Sequence, residues 1–195
     1  TEESGAVSTS NYIARNYGVK SGMPLFLAKR KLEGTESVFL SVDHEYYDEI
    51  SDRIMRIFRN YASSIEQVSV DEAYLDVTEQ VEGSFEKARD YAQKIKSDVK
   101  AQIGISFTIG VGPNKLIAKI ASDFKKPDGL TVVRAKEAAD FLAPMPIRAL
   151  PGIGPKMEKI LLGKGVSTIA DLRLSLPRSA ELSDRAWGID NAPVV

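Results

Sequence analysis

Two short alternating runs, Ile65 to Val70 and Ala73 to Val77, meet at a pair of adjacent acids, Asp71 and Glu72. No other stretch constrains the fold as tightly. The alternation predicts two strands, and the short gap predicts an antiparallel hairpin over 64–78 with both carboxylates at its bend. Carboxylates gathered without partners cost free energy, and a hard cation such as Mg²⁺ is the usual reason to gather them. The same residues also suit a solvated turn, where acids are common. From this stretch alone both readings stand.

Formal net charge is −1, which argues against a strongly basic nucleic-acid binder. The distribution of charge is more informative. Lys and Arg against Asp and Glu number 5 to 4 over residues 1–40, 12 to 16 over 41–133 and 9 to 7 over 134–195. A metal-dependent core flanked by mildly basic parts would show this pattern, and so would chance, since the imbalances are small. With no cysteine, disulfides and thiolate metal sites are excluded. No apolar run reaches the length of a membrane span, so no membrane partner is expected. The start, Thr1-Glu2-Glu3-Ser4-Gly5, has neither the basic opening nor the apolar core of a signal peptide. It also lacks Met, so the expectation is a chain that begins inside a longer protein.

Around the hairpin the pattern predicts a layered α+β unit. Ser37 to Val42 reads as a strand. Ile50, Ile54, Ile57, Phe58 and Tyr61 form one apolar stripe of a helix over 46–61. Phe85, Ala88, Tyr91, Ala92, Ile95 and Val99 form a second. Ser106 to Val111 reads as a strand, Lys115 to Asp123 as a helix and Leu130 to Val133 as a last strand. The order over 41–133 is β-α-β-β-α-β-α-β, with helices covering a sheet whose central pair is the acidic hairpin. His44, the sole histidine, is expected at the surface.

The flanks carry candidate anion grips. A short helix is predicted over 8–17. Ser8, Thr9 and Ser10 lie at its start, where hydroxyls and free N–H groups meet an anion, and Tyr12 and Arg15 share a face. An ordinary capped surface helix would look the same. Lys115 opens a strand-to-helix junction where it could meet a phosphate, although the P-loop spacing is absent and a solvated lysine would look the same. Further on, Leu150-Pro151-Gly152-Ile153-Gly154-Pro155-Lys156 leads into a helix. Two glycines around one apolar residue allow a tight turn with the Ile inward and N–H groups outward. Such a hairpin grips a nucleic-acid phosphate without reading bases, although a plain helical connection that uses Gly for its turn would look the same.

In this order the pieces resemble the Y-family (DinB-like, lesion-bypass) DNA polymerases. The resemblance is carried by Ser69-Val70-Asp71-Glu72-Ala73-Tyr74-Leu75-Asp76, by Gly110 to Asp123, and by Lys126-Pro127-Asp128-Gly129. It extends to Ser4 to Val7 with Asn11 to Arg15, to Leu150 to Lys156, and to Ala186 to Asp190 with Pro193-Val194. It implies fingers at 1–40, a palm with an antiparallel or mixed sheet at 41–133 and an all-α helix-hairpin-helix thumb at 134–195. It further implies two Mg²⁺ ions on Asp71 and Glu72, with Asp71 shared and Glu72 nearer the primer 3′-hydroxyl. Thr9, Tyr12, Arg15 and Lys115 would grip the triphosphate of an incoming dNTP. Gly152, Gly154 and Lys156 would hold primer–template DNA. A sliding clamp, reached through a C-terminal region, and a cytoplasmic or nucleoid location follow from the same resemblance.

Two departures qualify it. The family's first palm strand, with a third catalytic aspartate, is expected before Thr1, and its C-terminal DNA-gripping domain after Val195. Residues 176–187 are also shorter than the family's thumb leads one to expect. The resemblance therefore implies a 195-residue chain inactive by itself. The alternative is a noncatalytic relative that holds DNA through the 152–154 hairpin. A palm-type cyclase is a third option, disfavoured because it needs no DNA grip.

Overall fold

The computed structural model of the chain describes residues 5–175 and 193–195. The Ala186 to Asp190 motif and the 176–187 stretch lie outside the described residues. The chain forms two compact units, Thr1–Tyr46 and Tyr47–Val195.

In the first unit, α1 (Tyr12–Asn16) and α2 (Leu25–Lys31) pack over a small core of Val7, Val19, Ala28 and Leu32. The connection is pinned by backbone bonds from Val7 N–H to Met23 O (2.8 Å) and from Gly22 N–H to Val7 O (2.8 Å). The helix expected over 8–17 begins only at Tyr12. The reason is Asn11, whose side chain accepts the Ala14 N–H at 2.9 Å and so caps the helix after Ser8, Thr9 and Ser10. The strand expected at Ser37–Val42 does not form. Val38 and Leu40 are 78% and 85% exposed, and no strand within the unit pairs with them among the described residues.

The second unit starts within the first turn of α3 (His44–Phe58), where His44 is exposed. The hairpin follows as β1 (Ser64–Gln67) and β2 (Ala73–Asp76), antiparallel with Ile65 opposite Leu75 and Gln67 opposite Ala73. Helix α4 (Phe85–Ile103) is capped by the Ser84 hydroxyl and ended by Gly104 at φ 82°. Then come β3 (Ile109–Val111), α5 (Lys115–Phe124) and β4 (Leu130–Val132), with β3 and β4 parallel. The α+β character expected from the sequence is present.

The two strand pairs are joined by the end of the chain. Leu75 and Val195 exchange backbone bonds of 2.8 and 2.9 Å, and Gly112 and Val194 exchange bonds of 2.9 and 2.8 Å. Residues 193–195 thus run between β2 and β3, although resemblance alone assigns Pro193-Val194 to the thumb. The core beneath includes Met55, Phe58, Val77, Ile95, Val99 and Val111.

Lys96 locks the far end of this layer. It is 8% exposed and donates to Phe107 O (2.5 Å), Asp128 (2.6 Å) and Gly129 O (3.1 Å). A second core joins α5 to α6 (Ala138–Leu142) and α8 (Ile169–Ser175): Ile117, Ile120 and Ala121 pack with Val133, Ala138, Leu142 and Ile169. Between α6 and α8 in the chain, α7 (Pro155–Leu162) buries none of its residues.

Candidate functional site

The bend of the hairpin is a compact loop. The Glu72 carbonyl accepts the Val68 N–H at 2.9 Å and the Ser69 N–H at 3.2 Å, so the backbone at Glu72 is held from two sides. The Ser69 hydroxyl donates to Asp71 Oδ1 at 2.7 Å. Both acids stand at the turn end of the β1–β2 pair, as the alternation requires.

Helix α5 faces this loop with two lysines one turn apart. Its start is fixed by Asn114, whose side chain accepts the Ile117 N–H at 2.9 Å. It lies unusually close to β3. A Cβ added to Gly112 would stand 2.7 Å from Ala118 N, and one added to Gly110 would stand 2.9 Å from Ala121 C and closer still to Ala118 O and Ser122 N. Only glycine permits this approach, and the approach brings the lysines to the hairpin.

Lys115 pairs with Glu66 on β1, and its ammonium lies 5.8 Å from the centre of the Tyr74 ring. Lys119 pairs with Glu72. Partial burial works against the Lys119 ammonium, but the hydrogen bond and charge of Glu72 prevail, and its pKa lies above the usual lysine value. Burial likewise raises the Tyr74 hydroxyl. Two carboxylates, Glu66 and Glu72, thus each meet one ammonium, and Asp71 has no ion pair among the described residues. The sequence reading missed Lys119. The signal was there, since it follows Lys115 by one helical turn on the same face.

The donor chemistry fits a hard divalent ion, because each acid offers carboxylate oxygens beyond the one already engaged. Among the described residues no group of three or more Asp, Glu, His or Cys is close enough to hold a metal. The hairpin therefore supplies two potential ligands.

In the first unit, the Arg15 guanidinium lies 4.8 Å from the centre of the Tyr12 ring and donates to Ser10 O at 3.0 Å. Thr9 is exposed in the approach to α1. In the second unit, Gly152 has φ 89° and Gly154 caps α7, with Pro155 in its first turn. A Cβ added at either glycine meets nothing within 4 Å, so both leave the backbone open to a ligand. The Ile153 N–H bonds Leu150 O at 3.1 Å, Arg148 pairs with Glu158 at 3.0 Å, and Lys156 is exposed beside the turn.

Residues 1–123 match the model of the impB/mucB/samB family, and residues 135–166 match that of the IMS family HHH motif. The chain is 48% identical over 172 residues to a DNA polymerase IV of Nitrosopumilus maritimus, covering 88% of this chain and 47% of that protein. It is 42% identical over 210 residues to one of Methanosarcina acetivorans, covering 100% and 57%. Two solved structures are similar in fold. DinB from Sulfolobus solfataricus matches with TM-score 0.84 and 40% identity, and an insertion ternary complex of Dbh DNA polymerase with 0.83 and 40%. Each match covers 93% of this chain and 52% of the other. The chain spans about half the length of the curated relatives it matches.

Proposed function

This chain belongs to the impB/mucB/samB family, the Y-family of DNA polymerases, and on that premise we propose that it forms part of an enzyme that copies DNA past damaged template bases. The observation that carries the proposal is the hairpin tip. It presents Asp71 and Glu72 side by side, with Glu72 paired to Lys119 and Asp71 in no ion pair among the described residues. We read residues 1–40 as fingers, 41–133 as palm, with Val194 and Val195 paired against its strands, and the stretch from 134 up to that pairing as thumb.

In this reading Asp71 and Glu72 hold divalent cations through their free carboxylate oxygens. When bound, two Mg²⁺ ions lower the pKa of the attacking 3′-hydroxyl and stabilise the leaving pyrophosphate. Thr9, Tyr12 and Arg15 orient the triphosphate of the incoming dNTP, the stacked Tyr12 ring limiting the freedom of the guanidinium. The family resemblance also assigns Lys115 a triphosphate contact, for which it would release Glu66, an exposed pair that costs little to break. Gly152 and Gly154 let a DNA phosphate approach the N-terminus of α7, and Lys156 adds a positive charge there. These contacts position the strand without reading sequence, which suits a template that carries lesions. Sliding-clamp contact and a cytoplasmic, nucleoid-associated location belong to the same reading. No helix among the described residues is long and apolar enough to cross a membrane.

The test is a graft. Residues 1–195 replace the matching segment of the Nitrosopumilus maritimus relative, and primer extension is measured on intact and abasic templates. Extension on both is expected, with loss of at least about a thousandfold in Asp71→Asn. A graft that folds and binds DNA but never extends a primer would favour the noncatalytic, DNA-holding alternative. The isolated 195-residue chain, with two metal-binding carboxylates at the hairpin, is expected to extend primers negligibly. Robust extension by it would overturn the count of ligands.

A further inference from the structure

Resting on the reading that Asp71 and Glu72 receive divalent cations, we propose that Lys119 is a built-in competitor for Glu72. Its ammonium sets how tightly the hairpin tip takes such an ion. Both ends of this ion pair are fixed. Helix α5 is anchored by the buried Ile117, Ala118, Ile120 and Ala121 and by its close approach to Gly110 and Gly112. The Glu72 backbone is held by the Val68 and Ser69 N–H groups. The Lys119 side chain is 26% exposed, whereas that of Lys115 in the neighbouring pair is 55% exposed. The Lys119 pair is therefore the less screened of the two, and the one that touches a proposed ligand.

A divalent ion on Glu72 has two options, and both weaken its binding. It displaces Lys119 from Oε1, or it takes the other oxygen and sits near a fixed positive charge. Asp71 carries no such competitor among the described residues. The tip is thus asymmetric: Asp71 is ready for a cation, and Glu72 is guarded by one. Lys119 acts through Glu72 and is a positioning residue.

The experiment titrates the 195-residue chain with Mn²⁺ and follows the free ion by electron paramagnetic resonance. Wild type is compared with Asp71→Asn, Glu72→Gln, Lys119→Met, Lys119→Gln and Lys119→Arg, each checked for fold by circular dichroism. Removing one positive charge about 5 Å from a divalent ion in a largely aqueous setting is worth about tenfold in affinity. Lys119→Met is therefore expected to bind Mn²⁺ about tenfold more tightly, Lys119→Gln similarly, and Lys119→Arg within about twofold of wild type. A purely structural lysine would give weaker or unchanged binding in the neutral variants, and either result overturns the proposal. If wild type binds through Asp71 but Lys119→Met and Lys119→Gln bind no more tightly, only the competitor role fails. If binding is indifferent to Asp71→Asn in every background, or absent in all of them, the metal reading itself fails and takes the proposal with it. Binding that appears only when Lys119 is neutralised supports both.

Discussion

Gly110→Ala tests whether the contact between α5 and β3 builds the site. An added Cβ would stand 2.9 Å from Ala121 C and inside normal contact of Ala118 O and Ser122 N, while ordinary contact begins at 3.4 Å. All three atoms are backbone, so no side chain can rotate away. The helix must withdraw by about an ångström in a close-packed core. Overpacking of this kind costs roughly 1–3 kcal/mol, and a clash with backbone alone belongs at the upper end, about 3 kcal/mol. At an m-value of about 2–3 kcal/mol/M, the urea midpoint falls by about 1 M or more. Circular dichroism during a urea titration reads this directly. The same withdrawal carries Lys119 away from Glu72, so the Mn²⁺ affinity of the folded variant should shift as well. The control is Gly154→Ala, at φ −83° with nothing within 4 Å of the added atom. Its expected loss is only about 0.5–1 kcal/mol, from a poorer cap. A Gly110→Ala protein with an unchanged midpoint would refute the idea that close approach of α5 positions the site.

Three further outcomes follow from other residues. Asp171 accepts the Ser167 and Thr168 N–H groups and the Ser167 hydroxyl, and its pKa falls to about 2 from an ordinary 3.8. Its contribution is fully present above about pH 4 and is lost as pH falls toward 2; the melting-temperature gap between wild type and Asp171→Asn should shrink over that window, and a constant gap would contradict it. Lys96→Met leaves Phe107 O and Gly129 O without their buried donor, so it should lower stability by about 2 kcal/mol in a urea melt; no loss would mean that water replaces the ammonium. If the 152–154 turn receives a DNA phosphate as proposed, Gly154→Ala, whose Cβ would fill open space there, should weaken primer–template binding about tenfold by fluorescence anisotropy, and unchanged affinity would argue against that role.

The hairpin was legible because strand alternation and an adjacent acid pair leave few other arrangements. The same holds for α4, where Ser84 and Gly104 mark both ends in the sequence. Asn11 shows how a local competitor hides a boundary: the serines and threonine before it look like caps, but its side chain takes the role. Ser37 to Val42 shows the opposite failure. Its composition favours a strand, yet a strand exists only where a neighbour offers backbone groups. The pairing of Val194 and Val195 with β2 and the β3 edge joins residues more than 80 positions apart and leaves no local trace. At the site, the acids and Lys115 were visible. The partner choices were not, because they depend on how closely two glycines let α5 approach the sheet.

The most direct test of the central claim is where a divalent ion sits. Crystals of the 195-residue chain grown with Mn²⁺ and primer–template DNA would locate it by anomalous diffraction. The account requires a peak within coordination distance of the Asp71 carboxylate and shared with Glu72, absent from Asp71→Asn. Ordered Mn²⁺ elsewhere, with both acids bare, would contradict it.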